Sequence, residues 1–558
     1  MSTDKEKIAS AVRAALESEA VKSGVSLPAN FDVFVERPKI ASRGEWATNA
    51  AMKFARQFGL APMELAGKLV MSIDKAGIIN EIEATAPGFL NFTLTGSWIS
   101  ETIKTAVEKG EKYGSNDLGR GRRVQVEFVS ANPTGPIHLG HGRGGVVGDV
   151  LASILAFSGW EVEREYYVND AGLQMENLGR STQSRYFASW GRGDEAPFPE
   201  DGYPGDYIDG IARVISDEYG DSLLSRPLDE TLPLFRDKTC GLVLEMIKRD
   251  LSDFGINFDI WFSERSLYDD DLVERTIDLL KKNGYAYDGD GAVWFRATAF
   301  GDDKDRVMIR NNGVPTYFTS DTAYLLNKYE RKFDFLIYIW GADHHGYVPR
   351  IRSVNKALGR GDDSLEFLLI QFVSLLRDGE PVSMSKRAGT FVTLREVMDE
   401  VGRDAARFSF VNRKCDSHLE FDLEVAKRTS SENPVYYVQY AHARISSILR
   451  EAALRGIKLP GIEGVDLSLL SDPCEVRLAK EISRFPEEVE KASSALEPHR
   501  IAFYASSLAE AFHSFYNSLK VLGESPDLMN ARLMLAEASR VTISNALKLL
   551  GVSAPERM

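Results

Sequence analysis

Two closely spaced pairs of histidines are the first residues in this sequence that could do chemistry. The chain has 558 residues but only eight histidines, and four of them form the pairs His138/His141 and His344/His345. Two imidazoles three residues apart lie on one face of a helix, where both can donate hydrogen bonds to one phosphoryl group as its charge shifts. The first pair therefore predicts phosphoryl chemistry.

The residues around the first pair predict a nucleotide site. Apolar and polar residues alternate over 124–128 as in a strand, and a loop containing Pro and Gly leads from there to His138. A helix beginning at His138 would direct its free N–H groups and the positive end of its dipole at a phosphate. Gly140 would let the nucleotide approach the backbone. We predict that His138, Gly140 and His141 bind ATP.

The alternative for this pair is a set of core or zinc-binding histidines. No HExxH acid accompanies it, and Cys240, Cys415 and Cys474 lie far from it and from one another. Zinc sites in proteins rely on closely spaced Cys, His and acidic ligands. The sequence therefore predicts no metal site.

A short basic segment late in the chain could complete the nucleotide site. It contains Met384, Ser385 and Lys386 and follows turn residues at 377–380. A lysine on a mobile loop can close over a triphosphate and neutralise the leaving pyrophosphate. Taken alone, these three residues are more often part of a basic surface loop. Because the histidine pair already indicates a phosphate site, we predict that all three residues bind ATP and that Lys386 is catalytic together with His138 and His141.

The composition is that of a folded protein with several domains. Hydrophobic residues make up 44% of the chain and charged residues 27%, and no apolar run is long enough to span a membrane. The charged N-terminal residues do not resemble a secretion signal, so we expect a cytoplasmic protein. The net charge of −15 argues against a uniformly basic surface for nucleic acid, but a local cleft could still bind a polyanion.

The pattern at the two ends of the chain predicts two flanking domains. Residues 1–120 begin with apolar residues at helical spacing and contain a short apolar strand at 87–92, which indicates an α+β domain. Turn residues at 114–121 mark its end. Residues 402–558 have helical periodicity and no convincing strand, which predicts an α-helical bundle.

The central segment, residues 121–401, predicts a doubly wound parallel α/β domain of Rossmann-like type. The runs at 335–340 and 367–372 are apolar on both faces, as in strands at the centre of a parallel sheet. The residues around 175–290 interrupt this pattern and are expected to be an insertion. The histidine pair follows the first strand, where ligands of such sheets bind.

Together these motifs resemble a class I aminoacyl-tRNA synthetase, and in detail the arginyl-tRNA synthetases, along nearly the whole chain. The matching segments are VEFVSANPTG at 126–135, HLGH at 138–141, YYVNDAG at 166–172, YFTSDTAY at 317–324, GADHHG at 341–346, DAARF at 404–408, NPVYYVQYAHAR at 433–444, ERP at 36–38 and GEWATN at 44–49.

The resemblance implies an ATP-dependent arginine–tRNA ligase of protein biosynthesis. It implies that L-arginine and ATP give arginyl-adenylate, that Mg²⁺ accompanies ATP without any tightly bound cofactor, and that arginine passes to the 3′-terminal ribose of tRNA(Arg), first to the 2′-hydroxyl. It further implies that activation needs bound tRNA and that the protein is a monomer. The alternatives are a class I synthetase for another amino acid, or a tRNA-binding regulatory protein that has lost activity.

The resemblance also assigns five residues to arginine. Glu127 and Asn132 fall at positions around the α-amino and carboxylate groups, Tyr317 and Asp321 at positions that hold the guanidinium, and His345 near the side chain. A carboxylate and a guanidinium are matched bidentate partners. The alternative for Asp321 is an acid that merely favours a helix N-terminus, because Thr319 and Ser320 before it could cap a helix.

The flanking domains are the expected sites of tRNA binding. By resemblance, Phe89 and Asn91 in the N-terminal domain contact the outer corner of the tRNA, and the helical domain binds the anticodon. Tyr436, Tyr440 and Arg444 supply flat stacking surfaces and a cation there. An aromatic stripe on a helix is also typical of a hydrophobic core, so that alternative stays open.

We predict that Lys386→Ala lowers kcat more than it raises the KM for ATP. The class motif is KMSKS, whereas this chain has Ser383 and Arg387 at the ends of that segment, so Lys386 is its remaining lysine. A lysine on a closing loop meets the phosphates best as charge moves onto pyrophosphate. The measurement is steady-state pyrophosphate exchange with varied ATP; a loss confined to KM would mean that Lys386 contributes only uniform binding.

Overall fold

The computed structural model describes residues 4–38, 40, 43–75, 77–382, 392–459 and 461–558. The chain forms two compact units. The first comprises Met1–Lys109, Ala452–Ser483 and Phe515–Ala538, and the second comprises Gly110–Glu451, Arg484–Ser514 and Ser539–Met558.

The N-terminal part of the first unit is an α+β structure, as predicted. Its antiparallel sheet has the strand order β1-β2-β4-β3. Helix α1 buries Ile8, Val12 and Leu16, which share one face at helical spacing. The strand expected at 87–92 begins at Phe89, because residues 86–88 form a turn. The elements are α1 (Asp4–Ser23), β1 (Val35–Glu36), β2 (Trp46–Thr48), α2 (Ala50–Phe58), α3 (Pro62–Ser72), β3 (Ile79–Thr85), β4 (Phe89–Leu94) and α4 (Ser97–Lys109).

The second unit is built on a five-stranded sheet in which every pairing is parallel. Its spatial order is β12-β11-β5-β6-β7, the 3-2-1-4-5 arrangement of dinucleotide-binding sheets. The order reverses between β5 and β11, and ligands bind at that switch point. The strands are β5 (Arg123–Glu127), β6 (Glu161–Val168), β7 (Ile260–Ser263), β11 (Phe335–Gly341) and β12 (Leu365–Ile370). The predicted doubly wound sheet is confirmed.

Two small sheets and eleven α-helices lie among the described residues between 139 and 427. The first small sheet joins β8 (Ala286–Gly289), β9 (Ala292–Phe295) and β10 (Arg306–Ile309), and the second joins β13 (Val373–Arg377), β14 (Glu380–Pro381) and β15 (Leu419–Asp422). The helices are α5 (Leu139–Phe157), α6 (Leu173–Ser189), α7 (Asp206–Tyr219), α8 (Leu228–Asp253), α9 (Ser266–Asp269), α10 (Leu272–Lys282), α11 (Tyr317–Glu330), α12 (Val348–Ala357), α13 (Leu394–Val401), α14 (Arg403–Val411) and α15 (Leu423–Lys427).

Long helices make up the rest of the chain, as the sequence predicts. They are α16 (Pro434–Leu454), α17 (Pro473–Ser494), α18 (His499–Ser518) and α19 (Pro526–Leu550). In the part of the chain that the structure describes, none of the helices combines the length and the hydrophobicity that crossing a bilayer requires.

The structure corrects four details of the sequence interpretation. Strand β12 lies at the edge of the main sheet, not at its centre, and β7 belongs to that sheet although it falls within the predicted insertion at 175–290. Strand β15 follows residue 402, where no strand was expected; its parallel partner β13 comes from a distant segment, so local pattern could not reveal it. Thr316, rather than Thr319 or Ser320, is the N-cap residue of α11.

A buried arginine attaches α5, the helix after β5, to its surroundings. The Arg407 side chain is 0% exposed, and its guanidinium donates to the carbonyl oxygens of Phe254 and Leu550 at 3.1 and 3.2 Å. It also donates to the Asp149 carboxylate on α5 at 2.5 Å. A second arginine, Arg164, lies 3.3 Å from the same carboxylate. The ion pair and the two carbonyls hold α5 at a fixed place beside the sheet.

We expect Arg407→Met to lower the free energy of unfolding by about 3 kcal/mol. Removing one partner of a buried ion pair costs roughly 3–5 kcal/mol, and the lower end applies here because Arg164 remains beside Asp149. Urea unfolding followed by circular dichroism measures the change. Arg428→Met is the control: this arginine pairs with Glu432 at the surface, and its loss should change stability by less than about 1 kcal/mol. Equal effects of the two substitutions would contradict the role given to Arg407.

Candidate active site

The N-terminus of α5 places the two predicted histidines together. His138 is the N-cap residue, and its Nδ1 accepts a hydrogen bond from the Gly140 N–H at 3.1 Å. The imidazole rings of His138 and His141 are stacked, with their centroids 3.7 Å apart. A Cβ added at Gly140 would lie 3.1 Å from the His138 ring, so a larger residue would crowd the cap. Both rings therefore stand where the helix N–H groups and dipole favour an anion.

The cap also decides which nitrogen of His138 can donate. Because Nδ1 accepts from a backbone N–H, a neutral His138 ring carries its proton on Nε2. The cap thus orients the Nε2–H donor on the side of the ring away from the helix backbone. Such a donor stabilises negative charge that develops on a phosphoryl oxygen.

The segment that bears Lys386 joins the described structure beside this helix. Met384, Ser385 and Lys386 lie outside the described residues. Val392, the first described residue after them, accepts a hydrogen bond from the Leu139 N–H at 3.4 Å, and the Leu394 N–H donates to the Ile137 carbonyl at 2.8 Å. Lys386 is therefore six positions in sequence from a contact with the residue that follows His138.

Glu127 lies at the end of β5 with a buried carboxylate. It accepts from the Lys328 ammonium at 2.5 Å through Oε2 and from the Ser130 hydroxyl at 3.3 Å through Oε1. In the turn that follows Glu127, Val129 and Ser130 have positive φ values of 68° and 39°. Positive φ is unfavourable for a β-branched residue, so the surrounding packing must impose this turn. The turn is what brings the Ser130 hydroxyl to the carboxylate.

Asn132 and His345 lie at the surface of the site. Asn132 is exposed, and its amide donates to the Gln174 side chain at 2.8 Å. His345 is also exposed, and its Nδ1 lies 3.1 Å from the Ala342 carbonyl oxygen. The residue from this loop that contacts Asp321 is Tyr347, whose hydroxyl donates to the carboxylate at 2.5 Å.

Asp321 projects from the second turn of α11 into a cluster of acids. Burial raises the pKa of Asp321 to about 7; the hydrogen bond from Tyr347 opposes this rise, and Glu264 and Glu127 add to it. Tyr317, four residues earlier on the same helix face, is 68% exposed. It lines a cavity of about 310 Å³ together with Tyr347 and Arg350. The predicted guanidinium ligands thus lie between an open cavity and buried acids.

Three residues of this site were not singled out from the sequence. They are Glu264, Lys328 and Tyr347. Glu264 is 4% exposed, and burial raises its pKa, whereas hydrogen bonds with Ser320 and Tyr167 oppose that rise. Only one sequence signal could have found any of them: Lys328 continues the spacing of Tyr317, Asp321 and Tyr324 along α11. Glu264 and Tyr347 come from other segments, so only the fold places them here.

The proposed tRNA ligands differ in their surroundings. Asn91 is buried in β4 and donates to the Thr85 hydroxyl at 2.9 Å, while the side chain of Phe89 is partly exposed. On α16, the rings of Tyr436 and Tyr440 are stacked with centroids 5.8 Å apart. The Arg444 guanidinium lies 4.5 Å from the Tyr440 ring centroid and donates to its hydroxyl at 2.8 Å. These three partly buried side chains form a ladder of flat groups on one helix face.

The described residues contain no group of three or more His, Cys, Asp or Glu side chains that could hold a metal ion.

Three family models match the chain. The arginyl tRNA synthetase N terminal domain matches residues 5–94, the class I (R) tRNA synthetase catalytic domain matches 102–185 and 227–446, and the DALR anticodon binding domain matches 438–558. The chain belongs to the arginyl-tRNA synthetase family.

Relatives of this family are similar to the chain over its whole length. The arginine–tRNA ligase of Citrifermentans bemidjiense is 50% identical over 94% of each chain, and that of Syntrophotalea carbinolica is 48% identical over 99% of each chain. The structure of Thermus thermophilus arginyl-tRNA synthetase, 22% identical, covers all of both chains with a TM-score of 0.78. This structural likeness supports the class I fold.

We expect kcat/KM for arginine to fall as the pH drops below about 7. In its predicted role Asp321 pairs with a guanidinium only when ionised, and its pKa of about 7 means that the carboxyl is mostly protonated below that pH. The guanidinium stays charged throughout, so the loss should approach tenfold per pH unit. Pyrophosphate exchange between about pH 5.5 and about pH 8 tests this. Asp321→Asn should be poor at every pH and show no such inflection; a flat wild-type profile would contradict the assignment.

Proposed function

We propose that this chain is an arginine–tRNA ligase that activates L-arginine with ATP and esterifies it to tRNA(Arg). Family membership supports the reaction, and the acidic cluster supports the substrate. Asp321 is partly buried and Glu264 is buried, and the loss of water around each carboxyl raises its pKa. Two neighbouring acids that are poorly hydrated are stabilised by a cationic ligand with several donors, which a guanidinium provides. This cluster is the observation that carries the proposal.

The two ends of the amino acid are proposed to bind at opposite ends of the site. The guanidinium lies between Asp321 and Glu264, below the rings of Tyr317 and Tyr347. The α-ammonium group meets Glu127, with the Asn132 amide near the carboxylate. This arrangement directs the substrate carboxylate towards the N-terminus of α5, where a helix favours negative charge.

The chemical step is an attack of the arginine carboxylate on the α-phosphorus of ATP. One P–O bond forms, the bond to the β-phosphate oxygen breaks, and pyrophosphate leaves with the electron pair. We propose that Nε2 of His138, together with His141, donates to the phosphoryl oxygens as charge develops there, and that Gly140 allows the nucleotide to approach. Lys386, with Met384 and Ser385, neutralises the pyrophosphate. Mg²⁺ enters with ATP, and we assign it no dedicated set of protein ligands.

We propose that the remaining segments bind tRNA. Residues 1–120, including Phe89 and Asn91, would contact the outer corner of the tRNA, residues 121–401 carry catalysis, and residues 402–558 bind the anticodon. The ladder of Tyr436, Tyr440 and Arg444 offers stacking surfaces of the kind that hold unpaired bases. His345 is proposed to lie near the arginine side chain. We further propose a cytoplasmic monomer.

Pyrophosphate exchange with each of the twenty amino acids tests the function directly. We expect ATP formation from labelled pyrophosphate with arginine alone, and a much lower rate when tRNA is omitted. Exchange with another amino acid would overturn the substrate assignment. Undiminished exchange without tRNA would contradict only the tRNA requirement, whereas no exchange with any amino acid would indicate a protein without synthetase activity.

A further inference from the structure

A buried ion pair forms the floor of the amino-acid site. The Lys328 ammonium lies 2.5 Å from Glu127 Oε2, and the two side chains are 1% and 6% exposed. The rings of Tyr324 and Tyr338 enclose the same ammonium, with centroids 4.3 and 3.9 Å from Nζ. Lys328 and Glu127 are 201 residues apart in sequence, so only the packing of α11 on β5 brings them together.

This ion pair is not explained by a gain in stability. Burial lowers the pKa of Lys328, while the nearby Glu127 and Glu165 oppose that decrease. A buried ion pair often stabilises a fold no better than apolar residues of similar volume would. An uncharged side chain of the same length as Lys328 would also fit between the rings of Tyr324 and Tyr338. The effect of the Lys328 charge on its partner, Glu127, offers a functional reason for the pair.

The partners of the neighbouring acids show that Lys328 pairs with Glu127. Glu165, on the neighbouring strand, has its own cation: Arg331 donates to it at 2.5 and 3.0 Å. Asp321 accepts a hydrogen bond from Tyr347, and Glu264 has hydrogen bonds with Ser320 and Tyr167. Among the hydrogen bonds of the described residues, the cation that contacts Glu127 is Lys328, which donates to Oε2.

The other oxygen of Glu127 has the capacity to accept a further hydrogen bond. Its contact with the Ser130 hydroxyl is long, 3.3 Å, and one carboxylate oxygen can accept two hydrogen bonds. We propose that Lys328 is a positioning residue for the amino acid: it fixes the Glu127 carboxylate so that Oε1 accepts a hydrogen bond from the α-ammonium group. This inference rests on the proposed function, in which Glu127 meets that group.

A positioning role for Lys328 has different consequences from a role in packing alone. If Lys328 acts through Glu127, its removal weakens recognition of the α-ammonium group and leaves recognition of the guanidinium intact. A residue needed only for packing would affect every ligand of the pocket alike. An arginine analogue without the α-amino group, δ-guanidinovalerate, distinguishes these cases because it keeps the guanidinium and the carboxylate.

The test compares Lys328→Met with wild type in arginine-dependent pyrophosphate exchange with tRNA present. We expect the KM for arginine to rise roughly 10- to 100-fold, the effect of losing one charge-assisted hydrogen bond, while the KM for ATP stays within about twofold. The inhibition constant of δ-guanidinovalerate against arginine should also stay within about twofold. Equal losses for arginine and the analogue, or no loss for either, would overturn the proposal.

Arg331→Met is the matched control. It removes a neighbouring cation that pairs with Glu165 and Glu163 but does not contact Glu127. We expect it to lower the melting temperature without changing the ratio between the arginine KM and the inhibition constant of δ-guanidinovalerate. A change in that ratio as large as the one caused by Lys328→Met would show that general disturbance of this helix end explains both results.

A double variant keeps the proposal testable if Lys328→Met does not fold. Glu127→Gln combined with Lys328→Met removes both buried charges, which relieves the unpaired charge that either single change leaves. The double variant should bind arginine as Glu127→Gln does, since Lys328 acts through Glu127. An additional loss in the double variant would overturn the proposal. Absence of arginine-dependent exchange in the wild type would instead overturn the proposed function, and with it the ligand of Glu127.

Discussion

Charge balance in a buried pocket is the constraint on which this site depends. Glu127, Glu264 and Asp321 converge at the carboxyl ends of the parallel strands, and within the described site Lys328 is the ammonium that reaches one of them. Burial, together with the nearby Glu264 and Glu127, raises the pKa of Asp321. A ligand with a cation at each end, as proposed for arginine, would balance these acidic charges. An amino acid with a neutral side chain would leave Asp321 and Glu264 without a cationic partner.

Helix α11 sets the positions of an acid and a lysine along the site. Tyr317, Asp321, Tyr324 and Lys328 follow one face at helical spacing, and their exposure falls from the first residue to the last. The acid therefore stands near the open cavity and the lysine at the closed end. One helix thus supplies a proposed ligand for the guanidinium and the cation that holds the acid proposed for the α-ammonium group. The length of the helix sets the distance between the two ends of the site.

The proposed nucleotide end of the site depends on the backbone and on a helix cap rather than on buried charges. The His138 cap orients an imidazole donor, and the N-terminus of α5 contributes dipole and free N–H groups. Buried Arg407 and its partner Asp149 hold the body of the same helix. Phosphate chemistry of this type needs fixed donors more than reactive side chains, so the rigidity of α5 is part of the site.

The local features of this protein could be predicted from its amino-acid sequence. Periodicity indicated the strands of the parallel sheet, the helix that begins at the histidine pair and the helical C-terminal region, because each of these elements depends on residues close together in the chain. The motifs also indicated the family. The contacts between distant groups required the folded chain: Glu127 with Lys328, Glu264 beside Asp321, and Tyr347 rather than His345 on the Asp321 carboxylate. Periodicity tells which face of an element a residue occupies, but burial and pairing of its charge depend on segments that arrive from elsewhere in the fold.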